Sequence, residues 1–277
     1  MSGFLDAMAR SSAARVALAR RAESFDALER RASTAPRAAA LRLSGFDVIA
    51  ELKLRSPAAG TLGAPGDDWQ ARVAAYARAG AAAVSVLTEP TRFDGSLQHL
   101  CDAVRVLKDL RVPAMRKDFL VDPYQVLEAR AAGAGGVLII IRMLSRNQII
   151  ELLEVCAAHG LFALLEAFDI EDLERARELL AQRAARHEAA AAPLLLGVNC
   201  RDLQTLEVVQ ARFDALAPLL PAQWPAVAES GVASGPDARR VQSLGYRLAL
   251  IGTALMTHDD PGQLLREIFA ATRTPCT

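Results

Sequence analysis

Eight short apolar runs rich in Val, Ile and Leu recur along the chain, at residues 47–52, 83–87, 112–116, 136–141, 161–167, 194–199, 226–229 and 248–251. Several are apolar without alternation. That is the pattern of a parallel strand covered on both faces, not of an antiparallel sheet with one wet side. Their starts lie about 22 to 36 residues apart, room for a strand, a helix and two loops. Helix signals fill the intervals. Ser145-Arg-Asn-Gln148 has the form of a capping box ahead of the run 149–156. Asp169 precedes a helical stripe of Leu173, Ala176, Leu179 and Leu180, residues 101–110 repeat with helical period, and Ser234-Gly-Pro-Asp237 opens another helix with proline in its first turn. Pro261 stands near the start of the last helix. Eight such units in one chain predict an α/β fold, a single TIM (β/α)8 barrel.

A barrel closes without the first 46 residues, where helical patterns run over 4–21 and 24–31 and break near Ser33-Thr-Ala-Pro36. The expected division is an N-terminal helical extension, 1–46, packed on a barrel of 47–277, together one structural domain. The extension has three possible seats: plugging the bottom, covering the top, or lying outside. An Ala/Arg-rich stretch at 182–192, with His187, reads as a helix extension or a solvated loop.

Length and composition fit that picture: 277 residues, 52% hydrophobic and 23% charged, suffice for one large core. Lys+Arg and Asp+Glu both number 32, which argues against nucleic acid or an anionic membrane recognised by bulk charge. No apolar run reaches the ~18–20 residues of a spanning helix, and the N-terminus lacks the charged-then-apolar order of a signal peptide. A cytoplasmic protein is expected. Cys101, Cys156, Cys200 and Cys276 form no C-x-x-C pair, and His99, His159, His187 and His258 fall away from the strand ends. No metal site is expected from such spacings. Cys200 adjoins Asn199 and is a candidate to line the barrel mouth.

One bias changes the reading. Of the 32 basic residues only Lys53, Lys108 and Lys117 are lysine, and Asn147 and Asn199 are the only asparagines. Where arginine serves for plain positive charge, a retained lysine is a candidate for proton transfer, which guanidinium cannot perform. In a (β/α)8 barrel the active site forms where strands end and the following loops begin. The predicted ends carry Glu51-Leu-Lys53-Leu-Arg-Ser56, Arg116-Lys117-Asp-Phe119, Glu166, Asn199 with Arg201, Glu229-Ser230-Gly231 and Gly252-Thr253. Two of three lysines and one of two asparagines thus share one face. Lys108 and Asn147 fall in helical stretches, as solvated or capping residues. Glu51 and Lys53, two apart, point to the same side of their strand, as a catalytic pair or a structural ion pair. The small residues after the seventh and eighth strands occupy the usual phosphate position of such barrels.

Taken in order, Ile49-Ala-Glu-Leu-Lys-Leu-Arg-Ser-Pro57, Ser85-Val-Leu-Thr-Glu89 with Phe93-Asp-Gly-Ser96, Arg116-Lys-Asp-Phe119, Gly197-Val-Asn-Cys-Arg-Asp-Leu203, Val227-Ala-Glu-Ser-Gly231 and Leu250-Ile-Gly-Thr253 resemble the indole-3-glycerol phosphate synthase family over nearly the whole chain. The resemblance implies closure of the indole ring from 1-(2-carboxyphenylamino)-1-deoxyribulose 5-phosphate in tryptophan biosynthesis, with loss of carbon dioxide and water and no cofactor or metal. It implies Lys117 as the acid on the ribulose carbonyl, Glu166 as the base in dehydration with Lys117 or Lys53 as the acid, and Glu51 as the partner that holds and tunes a lysine. Asn199 joins this catalytic set. Lys53, Ser56, Asn199 and Arg201 would orient the substrate carboxylate and hydroxyls, with Glu229 pairing Arg201. Phe93, Phe119, Leu138 and Leu203 would form the slot for the anthranilate ring, and Ser230, Gly231, Gly252 and Thr253 the phosphate cradle. The chain departs from the family at Leu54 and Ala58, where a basic residue and a second serine are common, and at Ala167-Phe168 after the presumed base. Residues 182–192 are longer than usual, and no Asp-Phe pair precedes the first strand.

Three other readings stand beside this one: a paralogue in a secondary indole pathway, a related phosphosugar barrel such as phosphoribosylanthranilate isomerase, and an idle barrel kept as a scaffold. The isomerase chemistry relies on a Cys/Asp pair near the first and fifth strands, and this chain has no cysteine there. A scaffold has no use for titratable groups whose burial costs stability. The expected partner is the small-molecule substrate, without nucleic acid or membrane; a monomer and a weak dimer both remain open.

Overall fold

The computed structural model describes residues 3–58, 60–62, 68–185, 193–203 and 205–273. Its eight barrel strands are β1 (Asp47–Leu52), β2 (Ala83–Leu87), β3 (Ala114–Lys117), β4 (Gly136–Ile140), β5 (Phe162–Ala167), β6 (Leu194–Asn199), β7 (Ala226–Glu229) and β8 (Leu248–Ile251). All pair in parallel, and β1 against β8 closes the ring. The non-alternating apolar runs are explained by burial on both strand faces: β1, β2, β4, β5, β7 and β8 are buried at every residue.

Four boundaries, in three strands, differ from those the sequence predicts, by one or two residues. β3 begins at Ala114 and not at 112, because Pro113 has no N–H for the ladder. It extends to Lys117, so the lysine is the last strand residue. β4 stops at Ile140, since Ile141–Met143 winds into a 3-10 turn, and β5 starts one residue late at Phe162.

The helices of six residues or more are α1 (Gly3–Ala22), α2 (Phe25–Thr34), α3 (Trp69–Arg78), α4 (Leu97–Lys108), α5 (Pro123–Ala131), α6 (Arg146–His159), α7 (Ile170–Ala185), α8 (Ala211–Leu216), α9 (Gly235–Ser243) and α10 (Pro261–Arg273). The capping box at α6 is complete: Ser145 Oγ accepts from the Gln148 N–H, and the Gln148 side chain accepts from the Ser145 N–H. Ser234 caps α9 by accepting from the Asp237 N–H. Most of 182–192, including His187, lies outside the described residues, and so does Cys276. A feature the periodicity did not suggest is a two-stranded ribbon, Arg55–Ser56 with Gly60–Thr61, at the exit of β1.

α1 buries Leu5, Met8, Ser12 and Val16, a stripe at helical spacing. Leu5 and Met8 join the main apolar core with the barrel, whereas Val16 packs in a smaller cluster with Leu28, Ala32, Tyr124 and Leu127, where α2 meets α5. At the exit of β3, Arg15 of α1 makes two hydrogen bonds to Asp118, at 2.9 and 2.7 Å. The second half of α1 is therefore tied to the exit of β3. No helix among the described residues is long and apolar enough to cross a membrane.

Candidate active site

Parallel pairing sets the strand ends level. Asn199 stands opposite Glu229, Lys117 opposite Leu87, and Glu166 opposite Ile140 on one side and Gly197 on the other. The side chains that face inward from these ends meet in one cavity of about 400 Å³. Lys117 is its centre. The ammonium lies 3.6 Å from Glu166 Oε2 and 3.9 Å from both Glu51 Oε1 and Glu229 Oε2. Burial alone would lower its pKa, but the charges of Glu166, Glu51 and Glu229 together outweigh that and hold it above the ordinary lysine value. Lys117 thus keeps its proton in the free protein. Lys53 sits beside it, 3.2 Å from Glu51 Oε2, and donates to Thr253 Oγ1 at 3.3 Å. Asn199 Nδ2 donates to Glu166 Oε2 at 3.0 Å, and Asn199 Oδ1 accepts from the Arg201 N–H at 2.9 Å. One asparagine therefore orients the Glu166 carboxyl and fixes the backbone after β6.

Glu229 is the unusual member. It is 1% exposed, and neither carboxyl oxygen has a hydrogen-bond partner. Burial first, and then the neighbouring Glu166 charge, push its pKa well above the usual carboxylate range, against the pull of Lys117. Two glycines make room for such groups. A Cβ on Gly197 would overlap Glu229 Oε1, and a Cβ on Gly252 would overlap Glu51 Oε2.

Apolar residues close one side of the cavity. Phe119 packs edge-on against Phe4 of α1, centroids 5.8 Å apart, and lies 6.2 Å from Phe93. Leu138, Leu203, Ile140 and Phe168 complete that wall. On the opposite rim the backbone turns left-handed at Ser230 (φ 62°) and Gly231 (φ 86°), just before α9. Gly252 and Thr253 start the short helical turn Thr253–Thr257. Two helix starts thus converge on a rim of small residues, an arrangement that suits an anion. Asp237 shares that rim, but its carboxylate is occupied by the Ala233 N–H and the Ser234 hydroxyl.

Of the residues singled out from sequence, Glu51, Lys53, Phe93, Lys117, Phe119, Leu138, Glu166, Asn199, Arg201, Leu203, Glu229, Ser230, Gly231, Gly252 and Thr253 all line this cavity. Ser56 does not. It is buried in the ribbon, and its hydroxyl accepts from the Ala58 N–H at 3.3 Å. The expected Arg201–Glu229 pair is absent: the Arg201 guanidinium donates instead to the Leu206 carbonyl at 2.6 Å, within its own loop. Cys200 turns away from the mouth into the core, where burial pushes its thiol up to about 12. Lys108 and Asn147 are exposed on helices. Phe4, Leu5, Val208 and Gln210 line the cavity without having been singled out. For Phe4 and Leu5 only the apolar stripe of α1 was a signal, and it did not say where the helix docks. Among the described residues no group of three or more His, Cys, Asp or Glu converges to hold a metal ion.

Residues 5–268 match the family model described as indole-3-glycerol phosphate synthase. An indole-3-glycerol phosphate synthase of a Parafrankia species is 44% identical over 202 residues, 73% of this chain and 70% of that protein. One from Micrococcus luteus is 44% identical over 200 residues (72% and 69%), and one from Opitutus terrae 41% over 197 (70% and 70%). Among solved structures, a 3-hexulose-6-phosphate synthase from Salmonella typhimurium superimposes with a TM-score of 0.60 at 12% identity, over 82% of this chain and 98% of that one. A thiamine phosphate pyrophosphorylase from Pyrococcus furiosus gives 0.57 at 14% identity, over 82% and 95%. At such identities these two speak for the barrel fold alone.

Proposed function

Because the chain belongs to the indole-3-glycerol phosphate synthase family, we propose a division of labour among the side chains at its barrel mouth. The reaction is a carboxy-lyase step of tryptophan biosynthesis: 1-(2-carboxyphenylamino)-1-deoxyribulose 5-phosphate closes to indole-3-glycerol phosphate, releasing carbon dioxide and water. Three needs follow from that chemistry. A ring carbon must attack the ribulose carbonyl, whose oxygen must gain a proton. The carboxylate must leave as carbon dioxide, returning its electron pair to the ring. A hydroxyl must then leave as water while a proton is lost elsewhere.

The Lys117 ammonium, ringed by three carboxyl groups within 3.9 Å, is the observation that carries the assignment. It protonates the carbonyl oxygen, and Glu166, aimed by Asn199, takes the proton lost in dehydration. Lys53 or Lys117 protonates the departing hydroxyl, and Glu51 holds both lysines in reach of the substrate. Phe93, Phe119, Leu138 and Leu203 clasp the anthranilate ring, while Ser230, Gly231, Gly252 and Thr253 receive the phosphate. Glu229, 3.9 Å from the Lys117 ammonium, accepts from a substrate hydroxyl. Arg201 steadies its loop and reaches the substrate from that position. Ser56 acts on the substrate only through a shift of its ribbon. The enzyme works in the cytoplasm as a monomer or weak dimer.

A fluorescence assay of indoleglycerol phosphate formation, wild type beside Lys117→Met, tests the core of this reading. A proton-transfer group contributes ~10²–10⁴ in rate, so the variant should lose that much while its far-UV circular dichroism is unchanged. A folded Lys117→Met protein with wild-type turnover would remove Lys117 as the acid.

A further inference from the structure

We propose that Phe168 is a specificity-determining wall of the anthranilate slot, a ring whose fixed position limits which substituents the substrate's benzene ring can carry. The inference rests on the reading of the cavity as the substrate site. Strand alternation supplies the first reason: Glu166 and Phe168, two residues apart at the end of β5, both line the cavity, and Ala167 between them does not. Phe168 therefore sits one layer nearer the mouth than the base.

Position around the barrel supplies the second. β4, with Leu138 and Ile140, lies between β3 and β5 in the ring. Phe93 and Phe119 follow β2 and β3, on one side of that aliphatic floor, and Phe168 follows β5 on the other. A flat ring lying over Leu138 and Ile140 is thus bounded by aromatic side chains at both edges, and Phe168 sets the width.

Rigidity supplies the third. The Arg142 guanidinium covers the Phe168 ring, 4.6 Å from its centroid. Arg142 is itself tied to Asp169 and, at 2.7 Å, to Asp172. The same Asp172 oxygen accepts from the Phe168 N–H at 2.9 Å. One carboxylate in the first turn of α7 therefore fixes both the backbone of Phe168 and the cation stacked on its ring. The ring is 2% exposed, so it cannot retreat to admit a bulkier ligand. Arg142, absent from the cavity wall, acts through Phe168 as a positioning residue.

The test compares wild type, Phe168→Ala, Phe168→Leu and Arg142→Met on the parent substrate and on analogues methylated at each free position of the benzene ring. One misfitting methyl group is worth about 10- to 200-fold in kcat/KM. Wild type should reject at least one analogue by about tenfold or more. Phe168→Ala should lose most of that discrimination, with Phe168→Leu and Arg142→Met between, while all four proteins turn over the parent. Variants that process the parent but keep the wild-type ratio for every analogue would overturn the proposal, and so would a wild type indifferent to all the methyl groups. No turnover of the parent by folded wild type would instead defeat the reading of the site itself. If Phe168→Ala does not fold, Phe168→Leu gives the same comparison with most of the volume kept.

Discussion

Glu229 reaches its position because Gly197, one strand away, has no side chain. There it is surrounded by Glu166, Glu51 and Lys117. A carboxyl with a raised pKa keeps its proton in the folded state after the unfolded chain, with a glutamate value of ~4.3, has released its own. Stability is then highest below the unfolded value and declines as pH rises through the folded one. Glu229→Gln removes that slope. Its melting temperature should gain on wild type as pH climbs from about 4 toward neutrality and beyond. A gap that stays constant across the titration would mean that Glu229 ionises as an ordinary surface acid. Lys117 adds no slope in this range, because a raised lysine pKa is lost only above the ordinary lysine value. At this scale Lys53, Lys117 and Asn199 were legible in the sequence because lysine and asparagine are otherwise nearly absent. The need for glycine at 197 was not, since it is created by a side chain 32 residues further on.

The end of β3 joins barrel and extension. Lys117 faces the cavity, Arg116 before it does not line it, and Asp118 after it is buried at the cavity's edge. Asp118 accepts from Arg15 twice, from Thr88 Oγ1 at 2.7 Å, from Arg116 at 3.1 Å and from the Phe119 N–H at 2.8 Å. Burial would raise its pKa, but the Arg15 hydrogen bonds and the charges of Arg116 and Arg15 overrule that and depress it well below the ordinary value. A depressed carboxylate stabilises the fold above the unfolded aspartate pKa of ~3.9 and loses that contribution in acid. Asp118→Asn leaves the fully buried Arg116 short of a counter-charge, a loss of ~3–5 kcal/mol for such pairs. Urea titration at pH 7 should show it, and the deficit should shrink below pH ~3.9, where wild type weakens as well. An unchanged midpoint at pH 7 would show that Arg116 is satisfied by Glu128 alone. The Arg-Lys-Asp order marked a polar strand end, but only the parallel register and the docking of α1 reveal that two of its three charges are structural.

In the whole molecule, α1 belongs to the catalytic end of the barrel: Leu5 shares the main core, and Phe4 and Leu5 face the cavity. Burying one large apolar side chain is worth ~1.5–3 kcal/mol. Removal of residues 1–34 should therefore raise KM by about tenfold or more and lower the melting temperature. Steady-state kinetics on the truncated enzyme decide it; an unchanged KM would mean that α1 braces the fold without touching the substrate. The sequence by itself determined the barrel, because strand burial on two faces and helix capping are local patterns repeated eight times. It also placed Glu51, Lys53, Lys117, Glu166 and Asn199 at the mouth, since strand alternation fixes which residues face inward there. Tertiary structure alone decided the seat of α1, the burial of Ser56 in its ribbon, the turn of Arg201 toward the Leu206 carbonyl and the burial of Glu229 among Glu166, Glu51 and Lys117. Those outcomes depend on which side chains arrive from distant strands and loops, and no spacing along the chain encodes such meetings.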